Sequence, residues 1–400
     1  MEEEKMKKKF FQIIPLILVV FAFAKGNNEK PLPKYDKGDA KKNEKPQYDQ
    51  GYAVSEEQMM KGYNSPARID VKGAWDYFIT ASFIYWQPKM YLPYAWENIG
   101  DEAGILYYYS TEVTEKTHLV NFDYHPGFKV GLGTNTDMDN WNLFFEYTRL
   151  TTSDTSSTSV SEPLDASVEL SAPFLIPEGP DDGAFAPSYN RLSYVRERSK
   201  FYINLLDMEL GRPYYVGTKL TFKPHVGART GWIKQKNNTK INSWNLGLTE
   251  EGYVYLKEES DTWLLGPRAG LDTNWFLGEG FRLFGNVAAS LFYQHYKTKI
   301  KQVLPVQTNT TVAVTVERLT KEKVKDYLFN PCFEACLGFG WGKYFSNHEW
   351  HVDLSAGYEI QYFLNQYYIG QIKRSSQYHG DNAMPDLTLH GLTFTLRFDF

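Results

Sequence analysis

The last nine residues of the chain alternate without interruption: Leu392, Phe394, Leu396, Phe398 and Phe400 interleave with Thr393, Thr395, Arg397 and Asp399. A period of two is a strand with one apolar face and one polar face. A run of large apolar residues closing on a terminal Phe is the pattern that outer-membrane barrel assembly reads. It predicts an all-β chain, a transmembrane antiparallel up-and-down β-barrel, with outer-membrane lipid and the barrel assembly machinery as partners.

The other end agrees. Lys5, Lys7, Lys8 and Lys9 precede an apolar run from Phe10 to Ala24 that closes as Ala22-Phe23-Ala24, the form of a secretory signal peptide with its cleavage site. Residues 1–24 are therefore expected to be removed. A retained anchor fits poorly, because the run is short for a spanning helix and contains Gln12 and Pro15. No later stretch is long and apolar enough to cross a bilayer as a helix, and mean hydropathy is −0.47. Such an exported chain is either soluble or a barrel. The 29 Tyr, 26 Phe and 10 Trp suit two interfacial girdles around an apolar band, whereas a soluble β-sandwich is the competing reading.

Residues 1–24 carry four Lys and three Glu, so their removal leaves 39 basic and 45 acidic residues, a net charge of −6. That balance argues against a nucleic-acid partner. Cys332 and Cys336 are four apart in a strand-like stretch, about 13 Å between Cα atoms, too far to bridge. Free buried thiols and bonds to a neighbouring molecule both remain open.

Residues 25–64 form a separate region, rich in Lys, Pro, Asp and Gln and without an apolar period. They contain the related segments Pro33-Lys34-Tyr35-Asp36-Lys37-Gly38 and Pro46-Gln47-Tyr48-Asp49-Gln50-Gly51. The composition reads as a disordered N-terminal periplasmic linker. Ser55 and Gln58 have capping-box spacing, which predicts a short helix over 55–61.

The barrel is expected over 65–400. Tyr77 to Trp86 sets Tyr77, Ile79, Ala81, Phe83 and Tyr85 against Thr80 and Ser82, about ten residues and so one tilted crossing. Hairpins follow around Asn135 to Asn140, Arg212-Pro213, Leu277 to Gly280 and Ser346-Asn347. The segments 87–118, 151–199, 236–261, 295–327 and 364–386 read as long polar loops at the opposite rim. Short turns at one rim and long loops at the other imply a periplasmic and an extracellular side. About ten strands result, rising to about 14 if stretches such as Thr311 to Val316 add hairpins.

The same period assigns a lumenal face carrying Lys129, Glu146, Asp207, Glu209, Lys223, His225, Arg229, Arg268, Asp272, Arg282, Glu334, Asp353, Glu359 and Arg397. A charge at mid-membrane on the lipid face would cost about 2–4 kcal/mol, so these rows belong inside. They suit an aqueous pore passing ions and small hydrophilic solutes, or pairing across a narrow, polar-filled barrel. In 151–199, Asp154, Glu162, Asp165, Glu169, Glu178, Asp181 and Asp182 precede Arg191, Arg196 and Arg198. An infolded acidic loop facing a basic wall would create a constriction; an exposed loop with a tuft at Phe174-Leu175-Ile176 is the alternative. Gly131, Gly133, Gly227, Gly231, Gly266 and Gly270 share the lumenal face and leave room for a large neighbour or water.

Catalytic readings find little support. The eight His are scattered, and G-x-S-x-G, H-E-x-x-H, Walker and clustered Cys/His patterns are missing from the sequence. His225 beside Asp207 or Glu209 has no nucleophile placed next to it. No catalytic residue, cofactor or metal is assigned.

Several segments carry a resemblance. Tyr63-Asn64-Ser65-Pro66-Ala67-Arg68-Ile69-Asp70-Val71, Trp75, Phe83-Ile84-Tyr85-Trp86, Pro126 to Gly133 and Trp141 to Leu150 come first. Asp207-Met208-Glu209-Leu210-Gly211-Arg212, Lys223 to Arg229, Gly266 to Trp275 and Gly357-Tyr358-Glu359 follow in order. Together they resemble the pore-forming outer-membrane proteins of Legionella and environmental chlamydiae. The resemblance implies a porin or major outer-membrane protein and supplies no binding residue. The alternative is a surface adhesin or structural protein with a closed, polar-filled barrel, meeting a host or cell-surface ligand through its loops. A homo-oligomer is compatible with either.

Overall fold

A computed structural model of the chain describes residues 65–72, 76–100, 113–136, 140–160, 168–172, 192–243, 253–307, 315–366 and 385–400. The signal-peptide, linker and 55–61 helix expectations lie outside these residues. Ten long strands build the wall: β1 (Tyr77–Lys89), β4 (His125–Asn135), β5 (Asn142–Ser159), β7 (Leu192–Gly211), β9 (Leu220–Ser243), β10 (Tyr253–Gly278), β11 (Phe281–Gln307), β12 (Thr315–Phe345), β13 (Trp350–Phe363) and β14 (Leu387–Asp399). Each pairs antiparallel with the next, and β14 pairs back with β1 from Phe78↔Asp399 to Lys89↔Thr388. The barrel is therefore closed and up-and-down, and its count sits at the lower end of the expected range. β8 (Tyr214–Tyr215) adds to β9, while β2 (Pro93–Gly100), β3 (Val113–Leu119) and β6 (Val168–Ser171) form a small separate sheet.

Alternation dictates the two faces of the wall. On the outside, Phe329, Leu337 and Phe339 are 68–70 % exposed, too large an apolar surface for contact with water. Trp263 and Trp275 on β10 bound this belt. Their separation along a strand tilted by 40–45° spans about 28 Å of height, the thickness of a bilayer's hydrocarbon core.

The structure corrects the expected loops. Three strands run for 26, 27 and 31 residues, far beyond the belt, so most of 236–261 and 295–327 is wall. Likewise 151–159 and 192–199 belong to β5 and β7. Above the belt the outer face meets water, so the apolar half of the pattern disappears while the hydrogen-bonded ladder continues. The residues between Leu119 and His125 are the converse case. They follow the expected loop 87–118 directly, yet they lie outside the wall strands and turn Val120 and Phe122 into the core.

The rim of short turns is crossed by residues 65–72. Ser65 accepts a bond from Tyr215 N at 2.9 Å, and Ala67 N donates to Pro213 O at 3.1 Å. Ile69 O accepts from Asn135 Nδ2 at 3.4 Å, and Lys72 N donates to His348 O at 2.8 Å. The β7–β9 and β12–β13 connections lie almost opposite each other around the barrel, so this segment straps the mouth.

Candidate functional site

Ten strands about 4.8 Å apart and tilted by about 40° enclose a backbone cylinder about 20 Å across. Long side chains from facing walls meet at that diameter. The fourteen residues expected inside all point inward from the belt-level wall, and the structure joins them into one layer of ion pairs. Arg229 on β9 donates to Asp207 on β7 and, at 2.8 Å, to Glu334 on β12. Arg268 on β10 bonds Glu334 at 3.1 Å and also Glu209. Lys129 on β4 reaches Glu359 on β13 at 2.8 Å and Glu146 on β5 at 3.4 Å. Toward the strap, Arg282 pairs with Asp353, and Arg397 bonds Asp399 at 2.6 Å while lying 3.7 Å over the Phe78 ring.

Register explains the position of His225. It lies opposite Gly211 on one side and Gly270 on the other, and a Cβ at Gly270 would stand 2.5 Å from its Nε2. The imidazole fills the space two missing side chains leave, between Glu209 (Nδ1 to Oε2, 3.8 Å) and Asp272 (Nε2 to Oδ1, 3.6 Å). Glu209, His225 and Asp272 are the one group among the described residues that brings three metal-type donors together. Lys223 Nζ, 3.6 Å from Asp272 and 4.0 Å from Glu209, already supplies a cation there.

Above the ion pairs the lumen turns apolar. Ile84, Trp86, Leu150, Phe201, Ile203, Leu205, Ile233, Leu264, Phe292 and Phe363 are all at most 2 % exposed. Met90, Leu92, Tyr94 and Phe122 enter this layer from the connection between β1 and β4. Lys129 lies 5.1 Å over the Trp86 ring, linking the two layers. Higher still, His125 Nε2 and Asp154 Oδ1 are 2.8 Å apart.

This arrangement decides between readings that the sequence left open. Asp154 is lumenal, but Arg196 and Arg198 are exposed on the outer face, where Arg198 bonds Ser153, so they do not oppose it across a constriction. The tuft at 174–176 and Arg191 lie outside the described residues. Cys332 and Cys336 are free and face inward, so neither can reach a neighbouring molecule.

Sequence reasoning passed over several members of the layer. His351 Nδ1 lies 3.0 Å from Asp399 Oδ2, Asn274 accepts from Arg282 Nε at 2.9 Å, and Thr393 donates to Glu359 at 3.0 Å. Each has the inward parity of a residue already chosen, two positions along its strand for His351 and Asn274 and four for Thr393. That parity was the available signal.

Solved structures with a similar trace include the outer membrane protease OmpT of Escherichia coli, at 10% identity and TM-score 0.39, over 83% of this chain and 99% of that one. The CymD monoaromatic hydrocarbon channel shows 9% identity and TM-score 0.28, over 88% and 94%. A Pseudomonas aeruginosa FadL homologue shows 7% and 0.21, over 81% and 89%. No curated protein matches the chain. The family described as the Legionella pneumophila major outer membrane protein precursor matches residues 70–400, and the chain belongs to that family of outer-membrane proteins.

Proposed function

We propose that the protein is an outer-membrane barrel sealed along its lumen, acting as a surface or structural protein through the tall wall it holds above the membrane. The layer of ion pairs carries this reading. An aqueous path needs side chains that end in water, and those of Arg229, Arg268 and Lys129 end in carboxylates on other strands. The strap below and the apolar layer above act in the same direction. On this reading the short turns are periplasmic, together with residues 25–64 of the mature chain, and the tall rim is extracellular. The reading assigns no catalysis, and any host or cell-surface ligand is met at the tall rim.

The porin reading, free diffusion of ions and small hydrophilic solutes, has the resemblance to pore-forming proteins in its favour. It requires Arg229 and Arg268 to leave their partners and the apolar layer to part. Planar-bilayer recording of the refolded full chain separates the two. Silence from a correctly folded, heat-modifiable barrel is the expected result. Steady ohmic steps would replace the sealed barrel with a pore.

A further inference from the structure

Just above the belt, the outer face of β9 to β12 becomes a field of lysines. The aromatic edge there is Trp232, Trp263, His295 and Tyr327, which oppose one another in register across the four strands. Two residues higher the row reads Lys234, Asp261, Lys297, Lys325, and the next reads Lys236, Glu259, Lys299, Lys323. Above these, Lys257 stands opposite Lys301.

The two acids are already engaged. Lys234 lies 3.3 Å from Asp261 and Lys236 lies 2.8 Å from Glu259. Lys297 is then set directly against Lys325, Lys299 against Lys323 and Lys257 against Lys301, all six exposed. Like charges directly opposite on one sheet face are destabilising. A wall needing only solvation has no reason to place them so, and β5 shows the plain solution: its outer face above the belt carries Thr151, Ser153 and Thr155. The lysines are concentrated on β9 to β12, with Lys200 of β7 opposite Lys236 at their margin, in a chain whose net charge is −5, at the height where a lipid's polar headgroup begins.

We propose that this face binds the phosphorylated headgroup of an outer-leaflet glycolipid, with the acyl chains lying on the belt beneath it. The chemistry is complementary at both levels. Phosphate oxygens between paired ammonium groups turn their repulsion into attraction, and Tyr293, Phe329 and Leu291 offer acyl chains an apolar wall. Assigning the lipid to the outer leaflet rests on the orientation proposed above, with the tall rim extracellular.

The test uses the refolded full chain in neutral detergent, with native mass spectrometry to count retained lipid. The probes are bisphosphorylated lipid A, its dephosphorylated form, phosphatidylglycerol and inorganic phosphate. The comparison protein carries Lys297→Gln, Lys299→Gln, Lys323→Gln and Lys325→Gln, exposed changes that leave heat modifiability intact. The unchanged protein should retain bisphosphorylated lipid A, and the four changes should weaken retention about tenfold or more. Phosphate removal from the lipid should have the same effect. Equal retention by the two proteins, equal binding of phosphatidylglycerol, or displacement by inorganic phosphate alone would overturn the assignment. Labelling of these lysines on intact cells by a membrane-impermeant amine reagent tests the orientation separately, because lipid binding in detergent does not depend on it.

Discussion

The lower and upper halves of the barrel wall belong to the same strands and continue the same hydrogen-bonded ladder, yet their chemistry differs at every face. At belt height β11 shows Phe281, Val287 and Leu291 outside and Arg282 inside. Higher up it shows Lys297, Lys299 and Lys301 outside, with Tyr296, Thr298 and Ile300 inside. The backbone cannot tell the halves apart; the solvent on the outer face does. Charge is inside where the outside must be greasy, and outside where the outside is wet.

The largest expected effect falls on the lower, inner face. Replacing Arg229 by Met leaves Asp207 and Glu334 buried without it, and breaking a buried pair by removing one partner costs about 3–5 kcal/mol. The folded, heat-modifiable fraction should drop sharply. Glu259→Gln, which breaks the half-exposed Lys236 pair in the upper half, should cost at most about 1 kcal/mol. Equal effects would dissolve the contrast between the halves.

On the outer face the contrast takes another form. Val287→Arg sets a charge at mid-belt and should cost about 2–4 kcal/mol in refolding into lipid vesicles, whereas Thr155→Arg above the belt should change folding yields little. Packing against the inner wall comes next. A Cβ at Gly133 would overlap the Phe78 ring, so Gly133→Val should destabilise by about 1–3 kcal/mol, read as a lower midpoint in urea.

The smallest effect is a pH dependence in the separate antiparallel pair of β2 and β3. Glu97 is held below its ordinary value of 4.5, chiefly by its bond from His118, against some burial and with help from Lys116. A carboxyl with a lowered folded pKa stabilises above the unfolded value, and that contribution is lost as pH falls through the folded one. Amide protection factors in 93–100, taken against the intrinsic exchange rate at each pH, should therefore fall as pH drops below 4.5, and Glu97→Gln should remove the dependence.

The contrast also explains what the sequence disclosed. Belt-level strands were legible because two opposed constraints, lipid outside and a shared lumen inside, force strict alternation, as in Leu392 to Phe400. The inward residues followed from parity alone. Their partners did not, since parity says nothing about which walls lie within reach; the Arg229 to Glu334 pair depends on the barrel closing at ten strands. The upper wall was misread as loop because water removes the outer constraint, leaving Lys297, Lys299 and Lys301 with only a polar period. The strap of 65–72 gave no periodic signal at all, being held by backbone bonds that any residue can make.

Cys332 offers a direct test of the sealed lumen, because it lies on the inner wall with no exposed surface, at the boundary between the ion pairs and the apolar layer. A charged, membrane-impermeant thiol reagent added to the folded barrel in vesicles should leave Cys332 unmodified until heat unfolds the protein. Rapid modification of Cys332 in the folded state would show that water and ions reach the middle of the barrel, and would contradict the account.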